Sequence, residues 1–280
     1  MRRPGTHRVL WVAPGVAVAG LAGWLALRAP ATERDWTAEH ARQPTAAVAS
    51  DTVTVRDVRA FTWRAGAPPL ERWETRTYDL RRLDRAWLGL VPLSASMRAP
   101  AHLFLSFGFG DSTFVTVSAE GRREAGETFG LVAGMLRRFE LIVVVADERD
   151  FFGRRVVQDG DPIYLFPVRA TPAQLRALFT AMLGRATALD GAPEFYHTAW
   201  NNCTTNIVDQ VNALAPGRIP PGWRTLLPGY ADDLARALGL IEGGADAAAA
   251  RARYRVDAAA RAALDAPDFS RRLRGALPPP

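Results

Sequence analysis

Residues 101–117 read AHLFLSFGFGDSTFVTV, and this stretch predicts a β-hairpin. The apolar run from His102 to Phe107 predicts one strand, and Thr113 to Val117 predicts the strand that returns beside it. Between them, Gly108-Phe109-Gly110-Asp111 supplies the glycines and the aspartate that hairpin turns favour. The sheet is therefore expected to be built around an antiparallel pair of strands.

Further strands and helices are predicted on both sides of the hairpin. Apolar patterning predicts strands at Thr52–Val55, Thr75–Tyr78, Leu141–Ala146 and Ile163–Val168, the third being buried on both faces. Helical spacing predicts helices at Glu127–Phe139, after Thr171, at Cys203–Leu214 and at Tyr230–Leu238, with a loop at Pro216–Pro228. Strands followed by helices indicate an α+β fold, an antiparallel sheet with packed helices.

Composition and charge exclude few classes of function. The 280 residues are 48% apolar and 23% charged, which suffices for one sizeable core. The net charge of +6 comes mostly from arginine, but no basic block is interleaved with aromatic residues. We therefore expect no nucleic acid as a partner, and attraction to an anionic membrane surface accounts for the charge equally well.

The amino terminus predicts export across a bacterial inner membrane. Val9 to Leu27 is uncharged and long enough to span a bilayer as one helix, and Arg2, Arg3 and Arg8 precede it. The positive-inside rule then places the rest of the chain in the periplasm, as a single-pass protein in contact with inner membrane lipids. A cleaved signal peptide is the alternative, because Ala29-Pro30-Ala31 resembles a cleavage site.

Four regions follow from these patterns. Residues 1–31 are the membrane anchor or signal peptide, and 32–50 form a polar linker without periodicity. Residues 51–240 form the periplasmic catalytic domain. Residues 241–280 are an Ala/Arg-rich extension, either a surface helix or partly disordered.

Cys203 is the single cysteine of the chain and the first candidate for chemistry. One cysteine forms no intrachain disulfide and no cysteine cluster for zinc. Acyl transfer through a thiol requires no metal or organic cofactor, so we expect neither. Asn201 and Asn202 would cap a helix that starts at Cys203, where the helix dipole and free N–H groups favour a thiolate and an oxyanion. The alternative interpretation is a small buried residue without chemistry.

Several ordered motifs resemble the Lnb N-terminal periplasmic domain family, formerly a domain of unknown function. The motifs are the residues 101–109, Asp147-Glu148-Arg149-Asp150 and Asn202-Cys203-Thr204-Thr205-Asn206-Ile207, and the similarity extends to 55–61, 78–80 and 120–127. The resemblance implies a permuted relative of the NlpC/P60 papain-like cysteine enzymes, in which the histidine strand precedes the cysteine helix. It also implies lipoprotein transacylase activity, although this sequence shows no further membrane span after the domain, unlike Lnb itself.

The base that pairs with Cys203 is expected to be one of four histidines. His102 opens a strand within the family's motif and is the first candidate, while His197, six residues before the cysteine, is the second. His7 falls on the cytoplasmic side and His40 in the linker, so neither is expected to reach the site.

Further residues are candidates for supporting roles. If the hairpin turns at Gly110-Asp111, the antiparallel register places Glu120 beside His102, where a carboxylate would orient the imidazole. Asn201 and Asn202 are candidates for capping or oxyanion stabilisation. Glu148, Arg149 and Asp150 form either part of the site or an ordinary surface ion network.

Together these features predict a membrane-anchored periplasmic acyltransferase acting through a Cys203 thioester, with a lipoprotein or another acylated molecule as substrate. A cell-envelope cysteine hydrolase, such as a peptidoglycan amidase or peptidase, is the alternative enzyme. A non-enzymatic envelope scaffold is the third possibility. A transacylase needs a long apolar groove, a hydrolase needs a polar cleft open to water, and a scaffold needs neither thiol nor base.

Overall fold

The computed structural model describes residues 27–244 and 246–278, together with Val16, Gly20 and residues 23–25. The predicted spanning segment Val9–Leu27 therefore lies largely outside the described residues. Among the helices that are described, none combines the length and the apolar character needed to cross a membrane.

Within the part of the chain that the structure describes, ten strands form one large and one small sheet. They are β1 (Thr45–Ala49), β2 (Thr52–Arg59), β3 (Thr62–Arg64), β4 (Ala67–Leu70), β5 (Trp73–Asp79), β6 (Leu83–Pro92), β7 (Ala101–Phe109), β8 (Thr113–Arg122), β9 (Glu140–Asp147) and β10 (Tyr164–Pro167). The large sheet has the order β1-β2-β9-β8-β7-β6-β10, β5 also pairs with β2, and β3 pairs with β4. All of the large sheet's pairings are antiparallel except the contact between β2 and β9.

The predicted hairpin is present as β7 and β8. Leu105 pairs with Val117 and Phe109 with Thr113, and Gly110 adopts a φ of 64° in the turn. That left-handed conformation is costly for residues other than glycine, which explains the residue at this position. β9 is buried almost throughout and contributes to the cores on both faces, as predicted for residues 141–146.

Helices cover both faces of the large sheet. They are α1 (Leu131–Met135), α2 (Glu148–Arg154, continued by a π-turn), α3 (Pro172–Gly191), α4 (Cys203–Leu214), α5 (Trp223–Leu226), α6 (Ala231–Ala237), α7 (Ala247–Arg253), α8 (Asp257–Ala263) and α9 (Phe269–Gly275). α3 and α4 contribute to the core on one face, whereas α2, α8 and α9 contribute to the core on the other. The fold is therefore mixed α+β, with a mostly antiparallel sheet and packed helices.

Two predictions about connecting segments were wrong. The segment 32–50 is not a free linker, because it contains a 3-10 turn at Ala38–His40 and the edge strand β1. The helix predicted at 127–139 is limited to α1, and its residues Val132 and Leu136 are exposed rather than packed inward. Both segments contact distant parts of the chain. The spacing of apolar residues within a segment does not reveal such contacts, so it did not predict the structure of either segment.

The carboxyl-terminal segment is folded rather than disordered. α7, α8 and α9 supply buried residues such as Ala250, Ala260 and Phe269 to the two cores. Pro216–Pro228, predicted as a loop, contains the single turn of α5.

Candidate active site

Three buried polar side chains meet where β7 starts, β8 ends and α4 begins. They are His102 on β7, Glu120 on β8 and Cys203 at the first position of α4, and each is less than 10% exposed. Cys203 lies close to the backbone of β7, since the Leu103 N–H points at its Sγ at 3.5 Å. The sheet and the helix thus bring together residues separated by about a hundred positions in the chain.

The start of α4 is fixed by its asparagine cap. The Asn202 side-chain oxygen accepts hydrogen bonds from the backbone N–H groups of Thr204 (2.8 Å) and Thr205 (3.0 Å). The Thr205 hydroxyl accepts in return from the Asn202 N–H at 2.9 Å, which completes a capping box. Cys203 therefore occupies the first turn of a helix, where the dipole favours its thiolate.

Both candidate asparagines are engaged in holding this loop. The Asn202 amide group donates to the Thr198 carbonyl at 2.6 Å. The Asn201 amide group donates to Glu194 and to the Phe195 carbonyl, and its oxygen accepts from Asn206. Their amide N–H groups are therefore committed to the fold, and the structure gives them a capping and positioning part rather than a free donor.

His102 lies among Ser118, Glu120 and Cys203. Its Nε2 lies 2.7 Å from the Ser118 hydroxyl oxygen and 3.5 Å from a carboxylate oxygen of Glu120. The Cys203 thiol is close enough to the ring for each of the two groups to shift the pKa of the other. The adjacency of Glu120 and His102 expected from the hairpin register is present.

The pKa shifts of Cys203, His102 and Glu120 favour a thiolate on Cys203 paired with an imidazolium on His102. Burial alone would raise the pKa of Cys203, but the hydrogen bond and charge of His102 outweigh it and lower the pKa of the thiol below its usual value. Burial would lower the pKa of His102, but its bonds to Cys203 and Glu120 raise it instead. Despite burial, the bond to His102 and that to His40 hold the pKa of Glu120 well below its usual range. The arrangement suits a thiolate beside an imidazolium, oriented by a carboxylate.

His40 is part of this cluster, contrary to the prediction that it lies out of reach. It is 1% exposed, and its Nε2 lies 3.2 Å from the second carboxylate oxygen of Glu120. Its Nδ1 accepts a hydrogen bond from the Arg123 N–H, so Nε2 carries the proton that is donated to Glu120. Burial lowers the pKa of His40 to about 4, so it is neutral at pH 7. The carboxylate is thus held between a neutral histidine and His102.

Sequence reasoning missed His40 and Ser118. Ser118 stands two residues before Glu120 on the same strand, so the alternation of strand side chains places both on the face of His102 and was a usable signal. For His40 no local signal existed, because its segment shows no periodicity and its partner lies 80 residues away.

The second candidate base, His197, does not face the thiol. Its Nδ1 accepts from the Ala199 N–H, and its ring stacks on Trp200. The structure therefore leaves His102 as the histidine that contacts Cys203.

Glu148, Arg149 and Asp150 lie apart from the thiol and form no surface network. Asp150 is completely buried and binds Arg59 Nε (2.9 Å), the Phe61 N–H and the Trp63 indole N–H. Arg149 donates to the Ala266 carbonyl.

Glu148 is tied to the carboxyl-terminal helix. Its buried carboxylate accepts from the Ser106 hydroxyl of β7 and pairs with Arg274 of α9. The guanidinium of Arg274 lies about 4 Å from the ring centres of Trp87 and Phe114. This acidic and basic cluster fastens α2 and α9 to the sheet and does not line the pocket described next.

A cavity of about 200 Å³, partly open to solvent, leads to the thiol. His102, Glu120 and Cys203 lie in its wall. The remaining wall is mostly apolar and includes Leu93, Ala99, Pro100, Phe129, Leu131, Tyr196, Leu226 and Leu227. Arg123, Arg154 and Arg155 also border it. A long apolar substituent would fit such a wall better than a polar peptide would.

The pairing of Cys203 with His102 leads to a testable prediction about alkylation of the thiol. The thiolate becomes populated as pH rises through the lowered pKa of Cys203, so the midpoint of the iodoacetamide rate should lie below that of a free cysteine. His102→Ala removes the group that lowers this pKa and should shift the midpoint upward. The measurement is the pH dependence of alkylation by mass spectrometry. His197→Ala is the matched control, and an equal shift in both variants would contradict a specific pairing.

Comparison with protein families places the chain. Residues 70–229, more than half of the 280, match the family model described as the Lnb N-terminal periplasmic domain. A comparison with curated proteins and one with solved structures each find no match. The matched region contains His102, Ser118, Glu120 and Cys203, and its description indicates a periplasmic location. The chain belongs to the Lnb N-terminal periplasmic domain family.

Proposed function

We propose that this protein is a cysteine-dependent acyltransferase, and specifically a lipoprotein transacylase held at the inner membrane by its amino-terminal segment. The observation that supports it best is the proximity of a cysteine in the first turn of a helix, a histidine and a carboxylate in the wall of a mostly apolar cavity. We also propose that the domain is a permuted papain-like one. The order of His102 on a strand before Cys203 on a helix supports that assignment.

In this mechanism the Cys203 thiolate attacks the carbonyl carbon of an ester in the donor. The backbone N–H of Cys203 is the proposed oxyanion donor, because Asn202 already accepts from the two following N–H groups. As the C–O bond breaks, the imidazolium of His102 gives its proton to the departing alkoxide, leaving an acyl thioester and a free hydroxyl. The attacking amine then gives its proton to His102, and cleavage of the C–S bond restores the thiolate.

Glu120, Ser118 and His40 support these steps through His102. A carboxylate beside Nε2 fixes the ring and stabilises the imidazolium that must supply the proton. His40 is neutral at pH 7 and donates to Glu120. It therefore keeps the carboxylate in place without competing, as a second cation, with the His102 imidazolium for Glu120. Under the lipoprotein hypothesis the donor is the diacylglyceryl group on the lipoprotein's cysteine, and the acceptor is its α-amine.

A cysteine hydrolase of the cell envelope is the second candidate, and the arginines that border the cavity favour it. Arg123 and Arg154 pair with Glu39, and Arg155 pairs with Asp159 and Asp161, so an anionic group such as the carboxylate of a peptidoglycan stem would compete with these carboxylates for the three arginines. The apolar wall favours the acyl substrate. The transacylase and the hydrolase differ in whether an amine or water accepts the acyl group.

The deciding experiment follows one acyl chain. The full-length protein is incubated in lipid discs with a diacylglyceryl lipoprotein whose α-amine is free, and the products are read by mass spectrometry. We expect an N-acyl lyso-lipoprotein of unchanged total mass. Release of free fatty acid without N-acylation, or cleavage of peptidoglycan stems instead, would replace the transacylase by the hydrolase.

A further inference from the structure

Exposed apolar side chains are concentrated around the mouth of the cavity. Among the described residues, sixteen large apolar side chains are exposed, and ten of them lie on the four chain segments, 93–100, 129–138, 195–200 and 222–230, that contribute to the wall of this cavity. We call these ten the apolar rim: Leu93, Met97, Leu131, Val132, Met135, Leu136, Trp200, Trp223, Leu226 and Leu227. Val132 is 69% exposed and Trp200 is 65% exposed. Contiguous exposed apolar patches of this kind mark interaction surfaces in water-soluble domains.

The rim is one surface although its residues come from four segments. Leu93, Leu131, Leu226 and Leu227 line the same cavity. The segments are joined by hydrogen bonds: the Thr198 hydroxyl donates to the Leu131 carbonyl at 2.7 Å, and the Gly229 N–H donates to the Ala99 carbonyl at 3.0 Å. Gly229 packs so closely that a Cβ there would fall 1.6 Å from the Arg98 carbonyl oxygen. The segments that carry the rim are therefore held in place by packing and by hydrogen bonds to one another.

The charge of the rim segments has one sign. Residues 93–100, 129–138, 195–200 and 222–230 contain four arginines and no aspartate or glutamate. Arg98 and Arg138 pair with carboxylates from outside these segments. No described carboxylate contacts Arg137 or Arg224, and Arg224 lies over the ring of Trp223. Arginines beside exposed tryptophans are typical of surfaces that sit at the headgroup level of a bilayer.

The amino-terminal segment approaches the domain beside the same surface. Arg137, which follows α1, donates to the carbonyl of Leu25 at 3.2 Å. Arg28 lies over the rings of Trp24 and Phe195. The end of the predicted anchor is therefore next to two of the rim segments, on the side to which a membrane-inserted helix would hold the domain.

We propose that the apolar rim inserts into the outer leaflet of an anionic bilayer, so that the cavity opens directly into lipid. The ten side chains then leave water for the interfacial region, and Arg137 and Arg224 reach lipid phosphates. An acyl chain would enter the cavity without crossing water. The inference concerns how the domain sits on the membrane and holds whether or not Cys203 is a nucleophile.

The test measures the depth of single labelled sites in the full chain. Cys203→Ser removes the native thiol, and Val132→Cys or Met97→Cys then carries a nitroxide in discs of phosphatidylcholine and phosphatidylglycerol. Relaxation by oxygen, which concentrates in lipid, is compared with relaxation by a water-soluble nickel chelate. We expect a severalfold higher oxygen-to-nickel ratio at both rim sites than at Val48→Cys and Leu70→Cys, which have similar exposure but lie outside the rim.

Two outcomes would overturn the inference. Equal ratios at rim and control sites would leave the rim in water. Spectral broadening at the rim that disappears on mixing with unlabelled protein would show instead that it is covered by a second copy of the chain. Since every variant lacks the thiol, neither outcome depends on the proposed activity.

Discussion

Cys203→Ser is expected to abolish the proposed acyl transfer while leaving the fold intact. Serine is nearly the same size and keeps a hydrogen-bond acceptor for the Leu103 N–H, so the free energy of unfolding should change little. Its hydroxyl has a much higher pKa than a thiol, and His102 cannot hold it as an alkoxide. We expect turnover to fall on the order of 10³-fold or more, in line with the loss of other covalent nucleophiles.

The assay is turnover of the lipoprotein substrate, with circular dichroism as the check on folding. His197→Asn is a suitable control, because His197 is a buried histidine of the same region that does not contact the thiol. It should retain most of the activity. Full turnover by Cys203→Ser would show that Cys203 is not the nucleophile. Full complementation of a deletion strain by Cys203→Ser, without any turnover, would remove both enzymatic hypotheses and favour the scaffold.

The second large effect is on stability and comes from Asp150. Asp150→Ala leaves the guanidinium of Arg59, which is 1% exposed, without its carboxylate, and also frees two buried N–H groups. Breaking a buried pair by removing one partner costs about 3–5 kcal/mol, because the remaining charge is uncompensated. Chemical denaturation of the full chain should show a loss of this order in the free energy of unfolding.

Asp111→Ala is the matched control for this prediction. Asp111 also pairs with an arginine, Arg85, but its side chain is 83% exposed. Exposed pairs contribute roughly 0–1 kcal/mol, so the control should change the unfolding free energy by no more than that. Similar losses in the two variants would mean that the Asp150 cluster does not stabilise the fold as its burial indicates.

Features that depend on local sequence were predictable. The hairpin follows from residues 101–117 because strand alternation and turn glycines are encoded within a few positions. Its register in turn placed Glu120 beside His102. The start of α4 was predictable because Asn202 and Thr205 stand at the spacing of a capping box.

Features that depend on distant partners were not predictable. His40 looked like a residue of a polar linker, yet its partner Glu120 lies on β8. The charges of Glu148 and Asp150 appeared suited to a solvated surface, whereas Arg274 and Arg59 allow them to be buried. The apolar face of α1 indicated a core helix, but α1 borders a cavity mouth and presents Val132 outward. Spacing shows that apolar residues share a face and does not show what that face contacts.

The pairing of Glu148 with Arg274 has a consequence for biosynthesis. β7, β8 and α2 are complete more than a hundred residues before the cation that neutralises Glu148 leaves the ribosome. Until α9 has been exported, the strand that carries His102 adjoins a carboxylate whose burial is unfavourable, so the nascent domain should remain loosely packed. Products truncated before Arg274 would then stay accessible to periplasmic proteases, and only the completed chain would close around the Cys203 thiol.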